Sequence, residues 1–199
     1  MRAKSQTTAW CSRVRPTLRV LAVMMALALG MATSSSMATA AVAAPRIDVR
    51  NAPVPAGMCG HPAGNLVDGI RHVGTSGDDY LRGSYSGTMG GGASVVAVIG
   101  CNAGGVSWPE TLVFYRLNSD GSLAVVGSYD LSKIRNAEHV DVRTAHIRGG
   151  MLATALNSYE GAGCEIHKIS ASFHVKSGSV AVSNILKGPV VNRCPSKVQ

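Results

Sequence analysis

The order of apolar and polar positions after residue 92 predicts a chain of β-strands and tight turns. Residues 93–100 (ASVVAVIG) are apolar on both alternating faces, which is typical of a strand buried in the middle of a sheet. Residues 111–117 (TLVFYRL) and 123–129 (LAVVGSY) are rich in β-branched and aromatic side chains and flank the turn sequence Asn-Ser-Asp-Gly. Because Asp-Gly favours a hairpin turn, we expect these two strands to pair.

Two further hairpins are predicted by the same signs. Gly149-Gly150 and Ser177-Gly178 each interrupt a stretch of strand-forming residues. The flanking strands are residues 139–147 with 151–157, and residues 164–176 with 179–184. Successive hairpins with short connections indicate an antiparallel meander.

The predicted fold class is therefore all-β, with the meander forming a sandwich or an open barrel. At most one short helix is expected, at residues 130–138, with Asp130 as its N-cap. The alternative is a partial propeller-like repeat, because residues 77–99 resemble a degenerate copy of the Gly/Asp-rich repeats of some propeller proteins. Those repeats hold Ca²⁺ with several acids, and here only Asp78 and Asp79 remain.

The residues ahead of the central strand are interpreted as irregular. Residues 74–92 contain seven glycines among Ser, Thr and Asp, which predicts a loop. Residues 44–57 contain three prolines and few apolar anchors, so we expect an extended lead-in. A single β domain would then occupy residues 58–199.

The N-terminus has the pattern of a secretory signal peptide. Basic residues up to Arg19 precede an apolar run at 20–32, and small residues follow up to Ala43. We expect residues 1–43 to be removed and the product to be secreted, either extracellular or associated with the cell wall. The apolar run of about 13 residues is shorter than the roughly 20 that a membrane-spanning helix needs. No membrane association is expected after cleavage.

Removal of the leader changes the charge balance. Five of the 19 Lys and Arg residues lie in the leader, which leaves 14 basic and 11 acidic residues, a net charge of +3. The remaining basic residues are scattered singly, so the sequence gives no reason to expect nucleic-acid binding.

Four cysteines follow the leader, and in an exported chain an even number indicates disulfides. They allow three pairings. We favour Cys59–Cys101 and Cys164–Cys194, because each bond would tie neighbouring segments. No pair has the C-x-x-C spacing of a zinc knuckle or a redox site.

One longer motif carries a family resemblance. The segment CNAGGVSWPETLVFY, from Cys101 to Tyr115, is similar to a group of small secreted proteins and lipoproteins of actinobacteria. The similarity extends over most of residues 47–176. It implies a habitat and a small exported β fold, but no activity.

Chemistry-bearing motifs are few. The histidine pairs His139/His146 and His167/His174 are each seven residues apart, which places their members on opposite faces of a strand. His139 and Asp141 share a face, so a general-base pair is one hypothesis. No nucleophile elbow, P-loop or H-E-x-x-H motif occurs. No metal and no cofactor are expected.

The candidate binding surface is the loop Asn102–Pro109. Its glycines permit close backbone approach, and Trp108 is the only tryptophan after the leader. The candidate ligand-binding residues are Asn102, Gly104, Gly105 and Trp108, and Tyr80 and Tyr85 would extend the same surface. The alternative is that Trp108 caps the core and the glycines form a turn.

These observations favour a secreted, non-catalytic binding module. Its partner would be an extracellular protein, a peptide or a cell-wall polymer. Two other functions stay open: a secreted hydrolase with a His/Asp or metal centre, and an extracellular protease inhibitor that presents the loop after Cys101.

Overall fold

The computed structural model describes residues 47–103, 106–160 and 164–193. All of them belong to one compact unit, Val42–Gln199. The predicted signal peptide, Gly104, Gly105 and Cys194 lie outside the described residues.

Two antiparallel sheets make up most of the structure. The first sheet contains β3 (Ile70–His72), β4 (Asp78–Met89), β5 (Gly92–Ala103), β6 (Val106–Ser107), β7 (Thr111–Leu117) and β8 (Leu123–Asp130). The second contains β9 (Ala137–Val140), β10 (His146–Arg148), β11 (Met151–Glu160), β12 (Cys164–Lys176) and β13 (Ser179–Arg193). A small ladder of β1 (Pro53–Val54) and β2 (Gly64–Asn65) lies before them in the chain.

The strand order follows the sequence closely. The first sheet runs β3-β4-β5-β7-β8 with β6 paired to β5, and the second runs β10-β11-β12-β13 with β9 paired to β11. The antiparallel sheets include a half-barrel curl. Since no helix in the described part of the chain reaches seven residues, the all-β prediction is confirmed. Among the described residues, no helix is long and apolar enough to cross a membrane.

β5 is buried on both faces because it separates two cores. Val96 and Val98 point toward the second sheet and pack with residues such as Leu156 and Phe173. Val95 and Ile99 point the other way, into a core that the N-terminal segment completes. The prediction of a central strand buried on both faces is confirmed, since the relative exposure of residues 95–99 is 0%.

The N-terminal segment covers the outer face of the first sheet. Val49, Ala52 and Val54 are at most 3% exposed and pack in the same core as Val95 and Ile99. The Tyr115 hydroxyl donates to the Pro53 carbonyl oxygen at 2.8 Å. Residues 47–54, which the sequence suggested as an extended lead-in, are therefore packed against β7.

The prediction of a loop at residues 74–92 is wrong for most of that segment. Asp78–Met89 form β4, a strand of 12 residues. Its glycines serve close packing: a Cβ placed on Gly87 would lie 2.6 Å from Cγ2 of Ile147 in β10. A shift in register between Leu81 and Gly83 is the only irregularity in the pairing of β4 with β5.

The predicted turns are confirmed, although one predicted strand and the helix are shorter than expected. Leu117 pairs with Leu123, Arg148 with Met151, and Lys176 with Ser179 around the three predicted turns. A fourth hairpin, at Gly90-Gly91, joins β4 to β5.

The prediction of one strand over residues 139–147 is wrong. β9 ends at Val140, and a turn in which the Thr144 amide donates to the Asp141 carbonyl oxygen separates it from β10. The predicted helix at 130–138 is a single 3-10 turn, Leu131–Lys133. Asp130 does cap it, since its carboxylate accepts from the Ser132 amide at 2.8 Å.

Candidate functional site

A disulfide anchors the end of the molecule that carries the predicted binding loop. Cys59 and Cys101 are bonded, with Cα atoms 6.5 Å apart, as the sequence predicted. The bond ties the 3-10 turn Met58–Gly60 to β5. Cys164 is disulfide-bonded as well; its pairing with Cys194 stays a prediction, because Cys194 lies outside the described residues.

A buried carboxylate lies beside this disulfide. Asp79 is 0% exposed, and one of its carboxylate oxygens lies within 4.8 Å of the sulfur atoms of Cys59 and Cys101. Its Oδ1 contacts His61 Nδ1 at 2.9 Å, and its Oδ2 accepts from Arg71 Nε at 2.7 Å. A fully buried charge requires such partners. This ion network therefore supports the disulfide end of the first sheet.

Trp108 lies at the rim of a groove at this end. Its relative exposure is 45%, which leaves much of the indole open to solvent. Two adjoining depressions of about 250 and 200 Å³ share Gly57, Thr111 and Asp130. We call them together the Trp108 groove. It is lined by Ala56, Gly57, Met58, Cys59, Gly60, Trp108, Pro109, Thr111, Ser128, Asp130, Ser132 and Lys133.

The groove combines an aromatic rim with hydroxyls and opposite charges. Gly57 has φ +90° and nothing within 4 Å of a Cβ position, so this wall presents bare backbone. Asp130 is the only acid among the described lining residues, and Lys133 the only base. Asp130 Oδ1 is already engaged in capping the 3-10 turn.

Of the predicted loop residues ahead of Trp108, the structure describes Asn102 but not the two glycines. Asn102 is exposed at the end of β5 and pairs with Ser107 of β6. The predicted inhibitor loop stays a prediction, because Gly104 and Gly105 at its centre are outside the described residues.

Tyr80 and Tyr85 do not line the Trp108 groove. Tyr80 is paired with Gly100, where a Cβ would lie 2.8 Å from the ring. The Tyr85 hydroxyl donates to the Val142 carbonyl oxygen at 3.0 Å, and burial raises the pKa of this phenol. Both rings are packed on a side of β4 that the sequence, interpreted there as a loop, could not indicate.

The hypothesis of a His139–Asp141 pair is wrong. His139 Nδ1 lies 3.3 Å from Glu110 Oε1. Asp141 instead forms an ion pair with Lys168, with Nζ 3.1 Å from Oδ2. A hydrogen bond from Lys168 lowers the pKa of Asp141.

Glu110 was missed by sequence reasoning and is 1% exposed. Its Oε2 accepts from the Val140 amide at 2.7 Å, and its Oε1 lies 3.1 Å from Arg82 Nε. The only signal was an acid placed directly before a buried strand.

Comparison of the chain with protein-family models, with curated proteins and with solved structures finds no match. The resemblance of the Cys101–Tyr115 motif to small actinobacterial secreted proteins stays a prediction.

Proposed function

We propose that the chain is exported and that its folded part is a non-catalytic module that binds a cell-wall glycan in the Trp108 groove. The observation that carries the proposal is the exposure of Trp108 beside a groove lined by Thr111, Asp130 and Ser132. An exposed indole offers a flat apolar surface on which the face of a sugar ring packs, and hydroxyls and a carboxylate beside it can bond the ring's hydroxyl groups. Tryptophan is also enriched among the residues that dominate binding energy at recognition surfaces.

Export is supported by two independent features. The first 43 residues have the basic, apolar and small-residue order of a signal peptide. The Cys59–Cys101 bond belongs to an oxidising environment. A wall glycan lies beyond the membrane, where an exported protein can reach it.

The described lining of the groove supports binding without cleavage. Hydrolysis of a glycosidic bond ordinarily needs two carboxyl groups on either side of the scissile bond. Asp130 is the only acid that lines the described groove, and one of its oxygens is engaged by Ser132. The groove is therefore equipped to hold a chain of sugars rather than to cut it.

Co-sedimentation with insoluble cell-wall glycan tests this proposal. We expect the purified protein to sediment with the glycan, and the Trp108→Ala variant to lose most of that binding. Ile185→Ala is the matched control, because Ile185 has a similar exposure of 48% on β13. Equal sedimentation of all three proteins would contradict the proposal, and competition by peptides instead of sugars would assign the groove to a peptide partner.

A secreted hydrolase is a second candidate, favoured by one contact. Oε1 of the Glu110 carboxylate lies 3.3 Å from Nδ1 of His139, close enough to stabilise the positive charge that an imidazole gains when it acts as a general base. Hydrolysis of generic ester, peptide or glycoside substrates that disappears in His139→Ala would support it. Activity unchanged by that substitution would remove His139 from consideration.

A further inference from the structure

A second opening lies at the other end of β7, between the two sheets. It has a volume of about 240 Å³. Thr111, at the start of β7, lines the Trp108 groove, and Arg116, near its end, lines this opening. We call it the Arg116 cleft. It is lined by Met89, Gly90, Ser94, Phe114, Arg116, Val126, Val175, Ser177 and Gly178.

The interior of the cleft is apolar. Met89 and Phe114, which are 5% and 1% exposed, belong to the core between the sheets. Val126 and Val175 are partly buried and pack against the same core. The cleft is therefore an exposed extension of the hydrophobic core, and an apolar ligand body would continue that packing.

The polar side chains of Ser94 and Arg116 differ in their capacity to donate hydrogen bonds to a ligand. Ser94, 5% exposed, donates its hydroxyl to the carbonyl oxygens of Gly92 at 3.1 Å and Met89 at 3.3 Å, so its proton is already used. Arg116 is exposed and lies directly across from Ser94 in the β5–β7 register. None of the ion pairs formed among the described residues includes Arg116. Its guanidinium remains available to an anion.

The position of Arg116 follows from the alternation of β7. Leu112 and Phe114 face the core between the sheets, and Arg116 is the next residue on that face. The strand therefore places a cation at the point where the apolar interior meets solvent. A guanidinium can bind a carboxylate with two parallel hydrogen bonds.

We infer that the Arg116 cleft is a second binding site, for a small amphiphile with an apolar body and one carboxylate. At about 30 Å³ per water molecule, the cleft has room for about eight water-sized groups. A ligand of roughly that number of non-hydrogen atoms fits, with its chain between Phe114 and Val175 and its carboxylate on Arg116. This site is separate from the glycan proposal and does not depend on it.

The inference is tested with octanoate, by following backbone amide resonances of the purified protein during titration. We expect saturable shifts centred on Gly90 and Gly178, and binding weakened about tenfold in Arg116→Gln, which loses the charge-assisted hydrogen bonds. Arg116→Lys should retain part of the affinity. Arg135→Gln, which removes an exposed arginine that does not line the cleft, should bind like the unchanged protein.

Two comparison ligands make the outcome decisive. Octanol and octylamine have the same number of carbon atoms as octanoate but carry a neutral and a cationic head, so both should bind more weakly. Equal binding of all three ligands would overturn the assignment of an anionic ligand. Absence of shifts at the cleft with millimolar octanoate would overturn the site itself. The Trp108→Ala variant should bind octanoate like the unchanged protein, which would show that the Arg116 cleft and the Trp108 groove bind their ligands independently.

Discussion

The carboxylate of Glu110 accepts the hydrogen bond that the Val140 amide would otherwise donate to a neighbouring strand. β9 pairs with β11 along one edge, and along its other edge the Val140 amide donates to Glu110 Oε2 at 2.7 Å. The Glu110 amide in turn donates to the Glu138 carbonyl oxygen at 2.7 Å. Since Glu110 directly precedes β7 of the first sheet, this one residue links the two sheets.

Glu110→Ala should therefore destabilise the fold. The substitution leaves the Val140 amide without its acceptor and should cost about 2–3 kcal/mol, whereas Glu110→Gln keeps a carbonyl oxygen and should cost about 1 kcal/mol. Urea unfolding followed by circular dichroism measures both. A loss in Glu110→Ala no larger than in Glu110→Gln would mean that the acceptor role is unimportant.

Gly87 and Ile147 should be coupled. Because a Cβ on Gly87 would come within 2.6 Å of the Ile147 side chain, Gly87→Ala should cost about 1–3 kcal/mol of the free energy of unfolding. Ile147→Ala should relieve part of that cost, which a double-mutant cycle measures. Gly92→Ala is the control, since nothing lies within 4 Å of its Cβ position. Strict additivity of Gly87→Ala and Ile147→Ala would show that the two positions do not touch.

Removal of the Cys59–Cys101 bond should lower stability substantially. The bond closes a separation of 42 residues, for which the chain-entropy estimate is about 4 kcal/mol. Cys59→Ala combined with Cys101→Ala should show this loss in urea unfolding under oxidising conditions. Under reducing conditions the variant and the parent should approach each other, and a persistent gap of the same size would point to packing rather than the cross-link.

The Asp141–Lys168 pair should make stability depend on pH. Hydrogen bonding to Lys168 lowers the folded-state pKa of Asp141 from its ordinary 3.8, so the pair stabilises the fold above that pH and the contribution is lost as pH falls through the lowered value. Lys168→Met should cost up to about 1 kcal/mol near neutral pH, because both groups are partly exposed.

Part of that cost should disappear in strong acid, where Asp141 is protonated with or without Lys168, whereas the hydrogen bond from Lys168 to the Asn157 side-chain oxygen does not titrate. Thermal unfolding at neutral pH and well below pH 3.8 separates the two conditions. Lys176→Met, at an exposed lysine outside the ion pairs of the described residues, should show no such dependence. A cost for Lys168→Met that is the same at both pH values would exclude the ion pair as its cause.

The local parts of the fold were predictable from sequence, and the non-local parts were not. The turns at Gly149-Gly150 and Ser177-Gly178 are determined by neighbouring residues, so their sequences sufficed. The glycines of β4 were interpreted as part of a loop. Gly87 is required by the side chain of Ile147, which lies 60 residues further along the chain. A glycine required by a distant side chain has the same sequence signature as one required by a turn.

The candidate site likewise contains residues that could be predicted from their neighbours in the sequence and residues that could not. Trp108 was identified as a candidate binding residue because its neighbours in the sequence, two glycines and a cysteine, are sufficient to indicate a binding loop. Asp130 and Ser132, which are two residues apart, and Gly57 share its groove but come from two other segments, which β8 and the disulfide bring next to Trp108. The burial of Glu110 and Asp79 was not predicted from sequence, since the burial of an acid depends on partners that the chain supplies from elsewhere.

Trp108 fluorescence is the most direct measure of whether the groove binds glycan. In a chain that begins after the predicted leader, and so lacks Trp10, Trp108 is the sole tryptophan and its emission reports the groove alone. Soluble cell-wall glycan fragments should shift that emission to shorter wavelength in a saturable manner, because a sugar ring on the indole excludes water. Emission that stays constant at saturating glycan, while the protein remains folded, would contradict the proposed function.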